Sequence, residues 1–455
     1  MKCCPEGHSY ENSVYPDYKN FILSDSTCSL CTKEHFIQEF ETWSSGNANI
    51  DKIIQESQIN DIRRKLHWIS YDNFQNIEHI ADGGHGSVYS AKLENGIKWE
   101  WNFIKKDWEY YSINKVALKE IKDSRCDMDF LKMVTQFEFT TDYYGISKNP
   151  STQNYVMVME LFEKNLHNFL TNTFWDLRWK LKIKILVLIA WNLRSFHAKH
   201  LSHRNLHSGN ILIEYCNCSH SDVILKIDLS SCNPENVLFL NLNNINNKFS
   251  GSIPYIPPEV LRGNEFTRQS DIYSFGGIMY EVVTAQQPFA DQAHDTYLMM
   301  DICYGLRPKV PDFMLNWIPE WYLDLMYQCW SDDPFERPTA ADLVRLLSNI
   351  VNNDIMRRSQ LEIAEENQKH TSKSQKQELF ELLSHSSKLH PQSCYFSRYI
   401  HTLHGLHDLL EEITSGKSSD PNLLFKSNES TTSNVDTHNI GKEIEIQSKS
   451  KYLIL

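Results

Sequence analysis

The chain has 455 residues and a formal net charge of −13, and 41 % of its residues are hydrophobic. This length suits one large domain with flanking modules, or two to three domains, and the hydrophobic fraction supports a sizeable core. The acidic balance argues against nucleic acid as a partner, because phosphate-binding surfaces need clustered Lys and Arg. The longest apolar run, residues 185–191, is far shorter than the roughly 20 residues that span a bilayer, so no membrane span is predicted.

The first ten residues lack the apolar stretch of a secretory signal. We therefore expect a cytoplasmic protein, with the nucleus as the alternative location. In a reducing compartment the eleven cysteines are expected to be free thiols or metal ligands rather than a disulfide framework.

Residues 1–45 form a Cys-rich segment that contains half of a zinc-knuckle pattern, the run CSLC at residues 28–31. The other half is imperfect, because Cys3 and Cys4 are adjacent and Gly7 stands where a second Cys-x-x-Cys would end. Four ligands make a structural zinc site, and the set that could provide them is Cys4, His8, Cys28 and Cys31. The alternative interpretation is a degenerate knuckle of reduced thiols.

Three further segments follow along the chain. Residues 46–73 are predicted to be a helical linker, residues 74–350 are densely patterned, and residues 351–455 form a polar tail. The composition of the tail indicates disorder interrupted by short helices, for which residues 377–383 and 403–413 are the candidates.

The densely patterned segment begins with strands and ends with helices. Residues 74–81 and 87–93 are β-rich, Asn95-Gly96 is a hairpin turn signal, and alternating aromatic residues between 99 and 110 suggest a long hairpin. From about residue 176 the apolar spacing becomes 3 or 4, which is typical of core-facing helices. The predicted fold class is α+β, with a small β-rich lobe followed by a larger α-helical lobe.

Two short motifs in the β-rich part could serve phosphate binding. The run IADGGHGSV at residues 80–88 contains glycines that let backbone amides approach phosphate oxygens. The run VALK at residues 116–119 ends on Lys119, and a lysine closing a buried strand suits a phosphate contact because Lys is seldom buried alone. The bland alternatives are an ordinary glycine-bearing hairpin and a surface lysine.

A third motif is more specific. The run HRNLHSGNIL at residues 203–212 is followed by IDLS at 227–230, PPE at 257–259, SDIYSFG at 270–276, CW at 329–330 and RP at 337–338. This order and spacing resemble the protein kinase superfamily, in particular its tyrosine-kinase-like group of Ser/Thr kinases. Two flanking runs, WSSGN at 43–47 and HPQ at 390–392, resemble segments of an expanded fungal family of such kinases.

The resemblance implies a two-lobed kinase fold, in which Arg337 pairs with Glu259 and Asp271 holds the catalytic-loop backbone. It also implies binding of ATP with Mg²⁺, the metal being held by Asn210 and Asp228. Catalytic positions are assigned to Lys119, Asn205, Asn210 and Asp228. Nucleotide-binding positions are assigned to Ile80, Ala81, Gly83, Gly86, Val88, Ala117, Lys119, Met159, Glu160, Phe162 and Leu212.

The sequence departs from the family where the substrate hydroxyl should be activated. Asn205 stands in place of the catalytic-loop aspartate, and an amide cannot take a proton near neutral pH. The loss of a general base typically costs about 10²–10⁴ in rate. His207 stands where Ser/Thr kinases usually have a lysine, and a histidine of ordinary pKa is mostly neutral at pH 7.

Other departures affect the regulatory elements. Met133 is predicted at the position of the glutamate that should pair with Lys119, and Glu138 is the nearest carboxylate. Two smaller changes affect the phosphate loop: Ala81 replaces its first glycine, and His85 stands at its tip, where the family usually has an aromatic residue. Ser230 follows Leu229 where Phe-Gly is expected, and Pro257 replaces alanine.

We therefore predict a protein-kinase-like domain that binds ATP, with phosphotransfer to protein Ser or Thr weak or absent, and a signalling or scaffolding role. One alternative is an active Ser/Thr-type kinase with an unusual catalytic loop. The other is an interaction module that binds no nucleotide. The expected partners are ATP and a protein substrate or signalling protein.

Overall fold

A computed structural model of the chain describes residues 4–8, 26–60, 65–83, 86–121, 131, 142–215, 223–229, 248–352, 354–372, 374–375 and 390–423. The chain divides into two compact units, residues 1–161 and 162–455. The first is rich in strands and the second is rich in helices, so the predicted order of a β-rich part and a larger α-rich part is confirmed. No helix in the described ranges is long and apolar enough to cross a membrane.

Among its described residues, the first unit contains two helices and eight strands. The helices are α1 (Ser29–Glu39) and α2 (Ala48–Asn60), and the strands are β1 (His67–Trp68), β2 (Phe74–Gly83), β3 (Gly86–Leu93), β4 (Ile97–Asn102), β5 (Asp107–Tyr111), β6 (Val116–Ile121), β7 (Tyr143–Lys148) and β8 (Tyr155–Glu160). Six of them form one sheet in the order β1-β7-β8-β6-β3-β2, in which only β1 and β7 pair in parallel.

The two faces of this sheet differ because side chains alternate along each strand. One face is an apolar core that includes Val116, Leu118, Val156 and Val158. Val88 lies opposite Lys119, and Ala117 lies opposite Met159. These four residues share the other face, so the lysine stands among apolar neighbours.

Strands β4 and β5 form a separate hairpin, which confirms the hairpin predicted from the alternating aromatic residues. Asn95 and Gly96 both have positive φ (65° each) and make a turn. The prediction that this turn closes a hairpin is wrong, because it joins β3 to β4, which belong to different sheets. A Cβ on Gly96 would lie 2.4 Å from the carbonyl oxygen of Tyr111, which explains the glycine.

The second unit contains nine helices and five strands among its described residues. The helices are α3 (Leu166–Thr173), α4 (Trp179–Ala198), α5 (Pro258–Arg262), α6 (Arg268–Thr284), α7 (Thr296–Cys303), α8 (Glu320–Cys329), α9 (Ala340–Asn352), α10 (Ile355–Lys369) and α11 (Leu410–Thr414). The strands are β9 (Lys164–Asn165), β10 (Ile211–Tyr215), β11 (Val223–Ile227), β12 (Lys248–Gly251) and β13 (Arg398–His401).

A large apolar core runs through the described part of the second unit. The predicted periodicity of α4 is borne out, since Ile183, Leu186, Ile189 and Leu193 are all fully buried in that core. Helix α6 is buried along its length, and its first turn is capped by a hydrogen bond from Thr267 N–H to the Ser270 hydroxyl (3.0 Å).

Part of the polar C-terminal segment belongs to this core. Strand β13 pairs antiparallel with β12, and Ile400 is fully buried. Of the helix predicted over residues 403–413, only the end is helical, in α11 (Leu410–Thr414). The helix predicted over residues 377–383 lies outside the described residues. The polar composition predicted disorder here. It could not reveal that one apolar side chain, Ile400, packs strand β13 into the core.

Candidate functional site

The catalytic-loop motif forms a tight bend before β10. Arg204 has φ +67°, a left-handed conformation that costs energy for a residue with a side chain. Asp271 stabilises it, because its two carboxylate oxygens accept hydrogen bonds from the backbone N–H groups of His203 and Arg204 (2.8 Å each). His197 Nε2 lies 2.9 Å from the same carboxylate. The contact expected of Asp271 is therefore present.

Asn205 is buried within this bend. Its backbone N–H donates to His203 Nδ1 (3.3 Å), and its carbonyl accepts from the side-chain amide of Asn210 (2.8 Å). Burial lowers the pKa of His203 and keeps its ring neutral, as an accepting Nδ1 requires. The side-chain oxygen Oδ1 of Asn205 accepts a hydrogen bond from the hydroxyl of Ser397 (2.8 Å).

His207 is oriented by its own loop. The backbone N–H of Gly209 donates to His207 Nδ1 (3.1 Å), so that nitrogen carries no proton. The ring is therefore neutral and its hydrogen is on Nε2, which lies 3.3 Å from the Ser397 hydroxyl oxygen. A neutral N–H donor thus stands where the resemblance leads one to expect a lysine ammonium.

Asn210 and Asp228 lie side by side at the end of the β10–β11 ladder. The backbone N–H of Asp228 donates to the carbonyl of Asn210 (2.8 Å), and both side chains are buried. Within the described residues, Asn210 Oδ1 has no hydrogen-bond partner. A buried amide oxygen left in this state beside a buried carboxylate suits Mg²⁺, which prefers oxygen ligands.

In the first unit, the lysine motif lies in the middle of the sheet. Lys119 is 6 % exposed and is flanked in register by Val88 on β3 and Met157 on β8. Ala117 and Met159 are fully buried on the same face. The sheet therefore supplies an apolar surface carrying one ammonium group.

The described part of the glycine motif lies in the antiparallel pair β2 and β3. Ala81 pairs with Val88 and Gly83 pairs with Gly86, and a bulge at Ile80 precedes them. A Cβ on Gly86 would lie 2.0 Å from the carbonyl oxygen of Glu120, so only glycine fits that crossing.

The segment predicted as a hinge falls partly in each unit. Met159 and Glu160 end β8, and the Glu160 N–H donates to the carbonyl of Asp142 (2.8 Å). Phe162 and Leu212 belong to the second unit and are fully buried.

Comparison with known proteins decides the family. A family model described as protein tyrosine and serine/threonine kinase matches residues 74–347, more than half of the chain. This chain is a member of that family.

Curated relatives of the kinase domain come from distant organisms. The chain is similar to probable serine/threonine-protein kinase roco5 of Dictyostelium discoideum (27 % identity, covering 65 % of this chain and 10 % of the relative). It is also similar to putative serine/threonine-protein kinase/receptor R826 of Acanthamoeba polyphaga mimivirus (27 %; 61 % and 16 %) and to human receptor-interacting serine/threonine-protein kinase 4 (28 %; 58 % and 30 %). The match spans at most about a third of these relatives' own length.

The structural ion pair of the kinase domain is intact. Arg337 Nη1 and Nη2 donate to the two carboxylate oxygens of Glu259 (2.7 and 2.8 Å), and both residues are buried. Such a two-pronged contact is the strong form of an ion pair. It supports the fold of the kinase domain and leaves its activity open.

The four Cys-rich ligand candidates lie together in the first unit, where their ligand atoms are all within 4.8 Å of one another. Cys4 and Cys31 sulfurs are 3.6 Å apart, and His8 Nδ1 is 3.4 Å from Cys31 Sγ and 3.7 Å from Cys28 Sγ. His8 Nε2 faces a carboxylate oxygen of Glu34 at 3.2 Å. Burial raises the pKa of the Cys28 and Cys31 thiols.

Several predictions about the kinase domain fall on residues that the structure does not describe. One is the prediction that Met133 replaces the glutamate partner of Lys119, with Glu138 as the nearest carboxylate. The others concern His85 and Ser230. Conversely, sequence reasoning missed Ser397. No local motif marks it, because its contact with Asn205 spans 192 residues of sequence.

Proposed function

We propose that the kinase domain binds ATP with Mg²⁺ and transfers phosphoryl groups to protein Ser or Thr weakly or not at all, acting in signalling as a scaffold or allosteric partner. The observation that carries this proposal is the combination at one loop of Asn205, which cannot act as a base, with the retained pair Asn210 and Asp228.

Two features support weak phosphotransfer. The Asn205 amide can orient a hydroxyl but cannot accept its proton, and the loss of such a base typically costs about 10²–10⁴ in rate. The neutral ring of His207 brings no positive charge to the transferred phosphoryl group.

Two features support nucleotide binding. Lys119 stands on an apolar sheet face beside Val88 and Ala117, a combination suited to a purine and a phosphate. Asn210 Oδ1 and the Asp228 carboxylate would hold Mg²⁺, which neutralises phosphate charge when bound.

The test combines thermal shift with Mg-ATP and a phosphotransfer assay on one preparation. We expect a saturable shift that Lys119→Met abolishes and that the control Lys115→Met, at an exposed lysine just before the same strand, preserves. Robust turnover by the natural chain that Lys119→Met abolishes would refute the proposal. No saturable shift would favour the module that binds no nucleotide.

A working kinase with an altered base is the second candidate, and the retained Lys119, Asn210 and Asp228 favour it. The transition state of phosphoryl transfer is largely dissociative, so a base is not indispensable. A measurable baseline that Asn205→Asp raises at least tenfold would support this reading. The isosteric control is Asn264→Asp, at an exposed asparagine of the same unit.

We also propose that Cys4, His8, Cys28 and Cys31 bind a structural Zn²⁺. With bonds of about 2.3 Å to sulfur and 2.0 Å to nitrogen, tetrahedral zinc places sulfur and nitrogen about 3.6 Å apart and two sulfurs about 3.8 Å apart. The separations of 3.4–3.7 Å and 3.6 Å fit this geometry. Glu34 beside His8 Nε2 is the outer carboxylate typical of zinc-bound histidine.

Elemental analysis of the purified full chain tests this second proposal. We expect one zinc per chain, lost in Cys31→Ser and retained in the control Cys303→Ser, whose thiol lies in the other unit. A zinc-free preparation that does not take up added Zn²⁺ would end the idea.

A further inference from the structure

Residues 394–401 run directly across the catalytic loop of the second unit. In the β12–β13 ladder, Gly251 is opposite Arg398, Ser250 is opposite Tyr399 and Phe249 is opposite Ile400. The residue that precedes this ladder is Ser397. The segment is therefore an extended peptide added to the edge of a strand, a common mode of peptide recognition.

The hydroxyl of Ser397 completes a directed hydrogen-bond chain. Gly209 N–H donates to His207 Nδ1, His207 Nε2–H faces the Ser397 oxygen at 3.3 Å, and the Ser397 O–H donates to Asn205 Oδ1 at 2.8 Å. Ser397, Asn205 and His207 are all at most 7 % exposed. In this buried series of hydrogen bonds each donor meets an acceptor, which indicates a specific contact rather than an incidental one.

The segment is held along its length. Arg398 donates to the carbonyl of His294 (2.6 Å), and Cys394 N–H donates to His294 Nδ1 (2.9 Å). His401 and Asn422 exchange two hydrogen bonds, from backbone N–H to Oδ1 (2.8 Å) and from Nδ2 to the backbone carbonyl (2.9 Å). Ile400 is 0 % exposed, next to Tyr399 at 58 %.

In an active kinase, the residue at the position of Asn205 orients the hydroxyl that receives the phosphoryl group. We propose that residues 394–401 are a built-in substrate mimic, in which Ser397 occupies the phosphoacceptor position and the segment must leave before another protein can bind there. This inference rests on the kinase assignment made above.

The same geometry defines the class of partner that would replace the segment. It is an extended peptide with a serine held at Asn205 and a branched apolar residue three positions later, where Ile400 is buried. The position two residues after the serine is exposed to solvent, as Tyr399 is, so many residue types should be accepted there in the partner peptide.

With a carboxylate introduced by Asn205→Asp, the mimic becomes a substrate of Mg-ATP. The Ser397 O–H proton passes to that carboxylate, a bond forms from Oγ to the γ-phosphorus, and the bond from that phosphorus to the β–γ bridging oxygen breaks to release ADP. The products are phosphorylated Ser397 and ADP.

The first experiment incubates the full-length Asn205→Asp variant with Mg-ATP and maps phosphate by tandem mass spectrometry. We expect modification at Ser397, at a rate independent of protein concentration because the transfer is intramolecular. Ser393, whose side chain hydrogen-bonds neither Asn205 nor His207, serves as the internal control. Modification elsewhere by a variant that binds Mg-ATP would overturn the inference, whereas failure to bind Mg-ATP would count against the proposed function.

The second experiment needs no nucleotide. It measures binding of a fluorescent peptide of residues 392–405 to the full natural chain and to its Ser397→Glu and Ser393→Glu variants. The buried carboxylate of Ser397→Glu should release the segment, so we expect this variant to bind the peptide at least tenfold more tightly than the other two. Peptides that carry Ser397→Ala or Ile400→Asp should bind less well than the unsubstituted peptide.

Hydrogen exchange at residues 398–401 reports release in the same samples. Equal peptide binding by all three chains would overturn the inference, as would a Ser397→Glu variant whose segment stays as protected as in the natural chain.

Discussion

The amide of Asn205 has the shape of an aspartate side chain but different proton chemistry. It keeps the acceptor oxygen that holds the Ser397 hydroxyl, and it cannot receive the proton that hydroxyl would release. His207, fixed as a neutral donor by Gly209, completes a site that can hold a hydroxyl. Recognition and chemistry are therefore separable at the level of single atoms.

Asn210 offers a sharp test of metal binding at the same scale. Its Oδ1 has no hydrogen-bond partner in the described part of the chain, while its Nδ2 donates to the Asn205 carbonyl. Asn210→Ala removes both groups, whereas Asn210→Asp keeps an oxygen ligand. We expect the alanine variant to need at least tenfold more Mg²⁺ for half of the ATP-dependent thermal shift, and the aspartate variant to stay close to the natural chain.

Both variants leave the buried Asn205 carbonyl without the Nδ2 donor, which costs about 1–3 kcal/mol of stability, and urea unfolding of each variant checks that it folds. Comparable Mg²⁺ requirements for the two variants would contradict a ligand role for Oδ1.

Among the elements, the β12–β13 pair changes the meaning of the C-terminal segment. Its polar composition predicts a solvated tail, but the ladder and a single fully buried Ile400 make part of it belong to the core. The segment also buries His294, whose Nδ1 lies within hydrogen-bond distance of the Cys394 N–H (2.9 Å) and carbonyl (2.8 Å) and whose Nε2 lies 3.1 Å from the Phe289 carbonyl oxygen.

Docking of this segment should weaken in acid because of His294. Burial lowers its pKa to about 4, and the neighbouring positive charge of Arg398 acts in the same direction. The unfolded state therefore binds more protons between pH 6.5 and 4, so the stabilisation from the neutral ring is complete above pH 6.5 and is lost as pH falls toward 4.

His294→Gln, which cannot take up a proton, should reduce the pH dependence of unfolding in urea by up to about 1.4 kcal/mol per pH unit in that window. Parallel pH profiles for the two chains would show that His294 does not titrate on unfolding.

Neighbouring residues of β13 provide a matched pair for measuring how firmly the strand is docked. Ile400 is 0 % exposed and Tyr399 is 58 % exposed. Ile400→Ala should destabilise the second unit by about 2–5 kcal/mol, and Tyr399→Ala should change it by less than about 0.5 kcal/mol. Urea unfolding measures both, and equal effects would mean that the strand is not packed as described.

For the whole molecule, the sequence was informative where function demands a local motif. The runs around Asn205, Asp228, Glu259 and Asp271 predicted the family, because their order and spacing can be read directly from the sequence. The change from β-rich runs to apolar spacings of 3 or 4 predicted the order of a β-rich and an α-rich part. Ser397 could not be found this way, since its contact with Asn205 forms only after the chain has folded.

The Cys-rich start is an intermediate case. Two ligand candidates, Cys28 and Cys31, lie in a recognisable spacing, while Cys4 and His8 do not. The count of four ligands that a structural zinc requires selected Cys4, His8, Cys28 and Cys31, and the fold brings their ligand atoms within 4.8 Å of one another. The four-ligand rule for zinc thus identified candidates where the second Cys-x-x-Cys of the knuckle pattern is missing.

The division into two units predicts that the two ends of the chain stabilise different parts of it. Cys31 belongs to a small cluster with Cys4, Cys28 and Phe103 in the first unit, whereas Ile400 belongs to the core of the second. Cys31→Ser should therefore speed hydrogen exchange in α1 and the β4–β5 hairpin and leave residues 398–401 protected. Ile400→Ala should do the reverse.

Treatment with a zinc chelator provides the control for the first variant, because it should reproduce the pattern of Cys31→Ser without any substitution. If instead Cys31→Ser deprotected β13 as strongly as α1, stability would be shared across the whole chain. The Cys-rich segment would then stabilise the substrate mimic from a distance rather than the first unit by itself.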